Sequence, residues 1–155
     1  MADLPLRDRA GNVLLAVHHP AESDLPRLVP LPAALVVAVH AGAVLLMFGK
    51  WRRQWELPGG MREPGETCRE AAARELAEET GIRGVALTFA AVAEFALTEP
   101  ARREFLAVYR TELTIAPRLT LSDEGTGFRW WPPGEPVDAD LSPLDAELAA
   151  RVATA

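Results

Sequence analysis

This chain has few of the residues that would tie it to an oxidising compartment, a membrane or a polyanion. One cysteine, Cys68, stands in 155 residues, which rules out an intramolecular disulfide framework and fits a reducing compartment. Long apolar runs are missing. The most apolar stretch, Leu35 to Phe48, is interrupted by His40 and Gly42 and is too short to span a bilayer. The start, Met1-Ala2-Asp3-Leu4-Pro5, has no basic region followed by an apolar stretch, so no signal peptide is expected. Positive charge is also scarce. Sixteen Lys and Arg face 22 Asp and Glu, a net charge of −6, which argues against nucleic acid or a membrane surface as partner. Phosphate substrates stay open, because a bound divalent cation inverts the local field.

What is present is ordinary for a globular protein: 49% hydrophobic and 25% charged residues. The length suits one domain over residues 1–155, with 1–30 as an N-terminal hairpin and linker extension. A cytoplasmic location is the default expectation. Leu4–Arg9 and Val13–His18 flank Ala10-Gly11-Asn12 as a small hairpin. Pro20 to Pro32 reads as an extended surface connection. Leu35–His40 and Val44–Phe48 look like core strands, and Trp55-Glu56-Leu57 like a short one. Pro58-Gly59-Gly60 is expected to turn. Val85–Phe95, Arg103–Leu113 and Phe128–Trp131 read as further strands, with Leu119 to Gly127 as a loop. Thr67 and Glu70 form a capping box that starts one helix, Gly81 stops it, and Ser142-Pro143 opens a second. Many strands with two helices predict an α+β fold with a mixed β-sheet.

The chemistry is concentrated between Gly60 and Ile82. Glu75, Glu78 and Glu79 fall at i, i+3 and i+4, so a helix stacks three carboxylates on one side. Like charges at those spacings oppose helix formation by roughly 0.2–0.5 kcal/mol per pair. A chain that accumulates such pairs is expected to hold a cation there. Mg²⁺ takes oxygen ligands in octahedral geometry and keeps several waters. Three carboxylates after a glycine turn offer it side-chain and backbone oxygens and leave positions for phosphate oxygens and water. The alternative is a solvated acidic helix face.

The same segment is similar to the Nudix (MutT-like) signature: glycine, five residues, glutamate, seven residues, then Arg-Glu-aliphatic-x-Glu-Glu-x-Gly-aliphatic. Gly60, Glu66, Arg74, Glu75, Leu76, Glu78, Glu79, Gly81 and Ile82 fill all the specified positions. A chance match somewhere in the chain lies below about one in a million at typical residue frequencies. The resemblance implies a Nudix fold, an α/β/α sandwich with a mixed sheet. It also implies Mg²⁺-dependent hydrolysis of a diphosphate linkage in a nucleoside diphosphate derivative, with Mn²⁺ as a substitute ion. Nucleoside triphosphates, oxidised ones included, are the generic substrate, giving monophosphate and pyrophosphate.

By position, the resemblance makes Glu75, Glu78 and Glu79 metal ligands, with the Gly59 or Gly60 carbonyl as an extra one. Arg74 and Glu66 brace loop against helix. A base for the attacking water is sought in a loop ahead of a tryptophan-bearing strand, where Glu124 fits Ser122-Asp123-Glu124 before Trp130. Glu124 is equally a candidate metal ligand, and Glu79 or Glu78 could be the base. Glu94, Glu99 and Glu104 are weaker candidates. Lys50, Arg52 and Arg53 are candidates for substrate phosphates, and Trp51, Phe95, Phe128 and Trp130 for stacking on a base. His18, His19 and His40 lack ligand spacing, while Cys68 in the first helical turn sits where a thiol pKa can fall. Three other readings remain: a silent nucleotide-binding sensor module, an ADP-ribose or nucleotide-sugar pyrophosphatase, and, least favoured, an isoprenoid-type isomerase. The N-terminal hairpin could also support a homodimer through an edge strand.

Overall fold

In a computed structural model, which describes residues 1–154, nine strands form one mixed sheet between two helices. The strands are β1 (Leu6–Arg7), β2 (Val13–His18), β3 (Ala33–His40), β4 (Ala43–Gly49), β5 (Trp55–Glu56), β6 (Gly59–Met61), β7 (Thr88–Thr98), β8 (Ala101–Glu112) and β9 (Gly125–Trp131). The helices are α1 (Cys68–Thr80) and α2 (Pro143–Val152). The order is β1-β2-β7-β8-β3-β4-β5, with β6 added to β3 and β9 to β4. All these pairings are antiparallel except β3 with β8, which run parallel from Ala33 opposite Leu106 to Val39 opposite Glu112.

Strand period explains how one sheet serves two cores. Along β3, Val37 and Val39 face the α2 side with Leu46, Val108 and Trp131. Val36 and Ala38 face the α1 side with Leu45, Ala107 and Tyr109. Leu144, Leu148 and Val152 of α2 close the first core, and Ala72 and Leu76 of α1 close the second. The expected α/β/α layering is therefore present. Among the described residues no helix is long and apolar enough to cross a membrane.

Three details differ from the sequence reading. Residues Glu22–Arg27 form a 3-10 helix rather than an extended connection, and its Leu25 plugs the α1-side core. β9 begins at Gly125, so Glu124 borders a strand instead of sitting mid-loop. Gly59 and Gly60 do not merely turn: they belong to β6 and pair with Leu35 and Ala34. A Cβ on Gly59 would lie 2.3 Å from the Ala34 carbonyl oxygen, so close backbone approach demands glycine there. The N-terminal hairpin forms as expected, and β2 lies along β7 of the same chain.

Candidate active site

The helix that carries the acids starts and stops where the sequence says. Thr67 accepts from the Glu70 amide while Glu70 accepts from the Thr67 amide, and Gly81 ends the helix at φ +82°. That fixes the rotation of α1, placing Ala72 and Leu76 in the core and Arg74, Glu75, Glu78 and Glu79 toward β6 and its loop.

Arg74 is the hub of the loop side. Its guanidinium donates to both Glu66 oxygens at 2.8 and 2.9 Å, to Glu75 at 3.0 Å, to Glu78 at 3.2 Å and to the Met61 carbonyl at 2.9 Å. Hydrogen bonding to Arg74 holds the Glu66 carboxyl down at about 2, and the same acids push the arginine's pKa up. Glu66 also accepts from the Glu63 amide at 2.9 Å, which ties the loop down.

Deeper in, the charges are not balanced. Glu79 is 8% exposed and accepts from the Gly59 amide at 2.7 Å. Burial, followed by the charges of Glu75, Glu124 and Glu56, pushes its pKa up to about 8. Glu75 is raised too, first by desolvation and then by Glu78 and Glu124, against the pull of Arg74. A Cβ on Gly60 would lie 2.7 Å from the Glu75 carboxyl carbon, so this glycine leaves room for that carboxylate. Glu124, forty-five residues beyond Glu79, is folded close enough for its charge to act on both Glu75 and Glu79. Of Glu75, Glu78 and Glu79, Glu78 is the exposed one, its side chain 57% open, and Glu124 is exposed as well.

Among the described residues no three His, Cys, Asp or Glu side chains already converge as an ion cage, because Arg74 and the Gly59 amide hold the carboxylates. The donor set nevertheless fits a hard ion. It is all oxygen, it carries more negative than positive charge, and its two innermost members are destabilised as anions, first by burial and then by neighbouring carboxylates.

Of the three basic candidates, Arg52 is tied to Glu56 at 2.9 Å, so it braces the turn between β4 and β5. Lys50 and Arg53 make no ion pair among the described residues, and Lys50 Nζ lies 5.2 Å from the Trp51 ring centre. The Lys50 amide donates to the Glu124 carbonyl at 2.8 Å, joining this turn to the Glu124 loop. Phe95 is buried, Phe128 and Trp130 are half-buried against the α1-side core, and Trp51 is 79% exposed. Glu94 is engaged by His18 and Arg103 and Glu104 by Arg102, while Glu99 lies in the β7–β8 turn. His18, His19 and His40 bond Glu94, the Ala90 carbonyl and the Leu113 carbonyl. Cys68 is buried, and burial pushes its thiol up, opposite to the effect expected from its helical position.

Two residues escaped the sequence reading. Glu56 accepts from Arg52 and Gln54 and contributes to raising Glu79. Asp145 of α2 accepts from the Leu57 amide at 2.8 Å, pinning the strand that leads to Gly59; burial and Glu56 push it up to about 7. Glu56 was visible in the Trp55-to-Gly59 run, whereas Asp145 had no local signal. A cavity of about 1010 Å³ lies behind the loop, between the 22–32 segment and Met61–Arg69. Its wall includes Arg62, Glu66 and Cys68 but not Glu75, Glu79 or Glu124.

The NUDIX domain model matches residues 29–152. A MutT-like protein of Streptomyces ambofaciens is 41% identical over 71 residues, 46% of each chain. A putative 8-oxo-dGTP diphosphatase of Bacillus subtilis (strain 168) is 29% identical over 102 residues, 66% of each chain. The matched stretches thus span about half to just under two thirds of these relatives. A MutT NUDIX hydrolase from Burkholderia pseudomallei shares the fold with a TM-score of 0.67 at 21% identity, over 77% of this chain and 95% of that one.

Proposed function

The chain belongs to the NUDIX hydrolase family, and from that premise we propose that it is a Mg²⁺-dependent pyrophosphohydrolase of nucleoside diphosphate derivatives. The observation that carries this reading is the placement of the Glu75 and Glu79 carboxylates against the Gly59–Gly60 backbone of β6, with Glu124 close enough for its charge to act on both. With Glu78 and the Gly60 carbonyl, Glu75 and Glu79 would hold the ion. Bound there, Mg²⁺ (or Mn²⁺) supplies charge neutralisation at the phosphates and a more acidic water.

The residues of the chain supply the rest. Lys50 and Arg53 draw the phosphates to the rim, and Arg52 keeps their turn in place through Glu56. Glu66 and Arg74 fix the loop against α1. Glu124, exposed and not engaged as Glu79 is by Gly59, is the base we assign. A water oxygen bonds to one phosphorus, the bridging P–O bond breaks with its electron pair leaving on the displaced phosphate, and the water's proton passes to Glu124. Nucleoside triphosphates, oxidised ones among them, are generic members of this class, and the name of the Bacillus subtilis relative supports including them.

The test is product analysis by ³¹P NMR on a panel of nucleoside triphosphates, ADP-ribose and dinucleoside polyphosphates, with calorimetry of Mg²⁺ binding alongside. Release of a nucleoside monophosphate that stops on chelation is expected. Saturable nucleotide binding without any phosphate release would make the chain a sensor instead.

A further inference from the structure

The cavity of about 1010 Å³ behind the loop holds none of the acids assigned to the ion, and its two walls are pinned rather than slack. On the side of residues 22–32, Arg69 donates to both Glu22 oxygens at 3.0 and 2.8 Å, and the Tyr109 hydroxyl donates to Glu22 at 2.8 Å. Further along, the Phe105 amide donates to the Pro30 carbonyl at 2.9 Å. Pro26, Pro30 and Pro32 restrict the backbone of this wall. The facing wall, residues 61–69, is held by Glu66 on Arg74. A space between walls fixed in this way is preformed. Its size stands at the upper end of the roughly 300–1,000 Å³ usual for small-molecule sites.

The lining is of the kind such sites use, an apolar majority with a few polar groups. Leu25, Leu28, Val29, Pro30, Met61 and Pro64 supply apolar surface, and Val29 and Met61, 77% and 63% exposed, mark the mouth. The acids of the lining each have an arginine elsewhere. Glu22 is met by Arg69, Glu66 by Arg74, and Glu63 lies 3.7 Å from Arg74. Arg62 is the cation left over. It donates to the Leu31 carbonyl at 2.8 Å and the Glu66 carbonyl at 3.2 Å, both neutral groups, and makes no ion pair among the described residues. It therefore bridges the two walls, and its charge reaches the buried Cys68 thiol that also lines the cavity.

We propose that this cavity binds a small amphipathic anion, with its acid group on the Arg62 guanidinium and its apolar body between Leu28, Val29 and Pro30 on one wall and Met61 on the other. Walls on both sides suit a free molecule rather than the surface of a bilayer. The site is additional to the acidic cluster and independent of the hydrolase reading, since its test needs neither Mg²⁺ nor a nucleotide.

Decanoate and 1-decanol are the probes, alike in the apolar body and different in charge. Methyl ¹³C NMR of the methionines in the full chain reads the site. Of the three methionines, Met61 is the one on the cavity wall, while Met47 is buried in β4. Decanoate should shift the Met61 signal saturably, leave Met47 in place, and bind about tenfold more tightly than decanol. R62Q should bring decanoate down to the level of decanol. Because Arg62 also ties the walls together, V29E is the second variant: Val29 is exposed, so the fold tolerates it, and a negative charge at the mouth should weaken decanoate more than decanol. A Met61 signal that stays put, a matching shift at Met47, equal affinities for the two probes, or undiminished decanoate binding in V29E each overturns the proposal.

Discussion

Two carboxylates of one loop–helix segment titrate in opposite directions. Glu66, gripped by both prongs of Arg74, is drawn down to about 2, while Glu79, thirteen residues later, is pushed up to about 8. Both acids belong to one sequence pattern, so the difference comes from surroundings. Glu66 has its cation built into the chain. Glu79 is buried, accepts from one amide and feels the charge of three other acids, and among the described residues it makes no ion pair. One acid is a strut whose charge is already met, and the other, on the proposed reading, is where charge from outside would bind.

The strongest way to break the comparison is Glu79→Gln. Turnover should fall by about 10²- to 10³-fold, on the scale of losing one transition-state charge stabiliser. In chelated buffer the same variant should report the raised pKa. Folded protein holds that proton more tightly than unfolded, so the contribution to stability is full below about 4.5, shrinks as pH rises, and is lost above about 8. Melting temperatures from pH 5 to 9 should therefore decline less steeply in the variant. Some slope remains, because Asp145, raised to about 7, acts in the same direction. A variant as active as the wild type would refute the metal assignment.

How much of this was legible in the chain depends on whether the signal was local. The capping box at Thr67, the stop at Gly81, the Ser142-Pro143 start and the i, i+3, i+4 acids each need only a few neighbouring residues, and each fold element appears where expected. Glu124 was placed by its distance from Trp130, and its charge does reach Glu75 and Glu79. Asp145 could not be found this way, since its partner Leu57 is 88 residues distant and no pattern links them. Which of Lys50, Arg52 and Arg53 stays free depends on Glu56, a contact across a turn that composition does not reveal. The twin glycines were read as a bend because their neighbour in space, Ala34, is remote in sequence.

That pair sharpens the comparison at the level of backbone. Gly59→Ala puts a Cβ 2.3 Å from the Ala34 oxygen and 2.8 Å from Leu35 Cα. Backbone cannot step aside cheaply, so a loss of about 3 kcal/mol is expected, and the melting temperature should drop by roughly 10 °C. Gly60→Ala meets the flexible end of Glu75 instead, at 2.7 Å. It should leave the melting temperature within a few degrees while depressing turnover, because Glu75 is what must move. Equal melting temperatures for the two variants would show that β6 is not held against β3 as described.

The mildest expected change is Glu66→Gln. The neutral amide still occupies the loop, and Arg74 keeps Glu75, Glu78 and the Met61 carbonyl, so turnover should fall only about tenfold, as for residues that orient ligands without binding the ion. Its pH signature should be the reverse of that at Glu79. A lowered carboxyl stabilises the fold above about 4.5 and loses that contribution as pH falls through about 2. The variant should thus soften the acid limb of the melting curve and leave the neutral limb alone. If it instead lost as much turnover as Glu79→Gln, Glu66 would be a direct partner of the ion, and the contrast between strut and ligand would not hold.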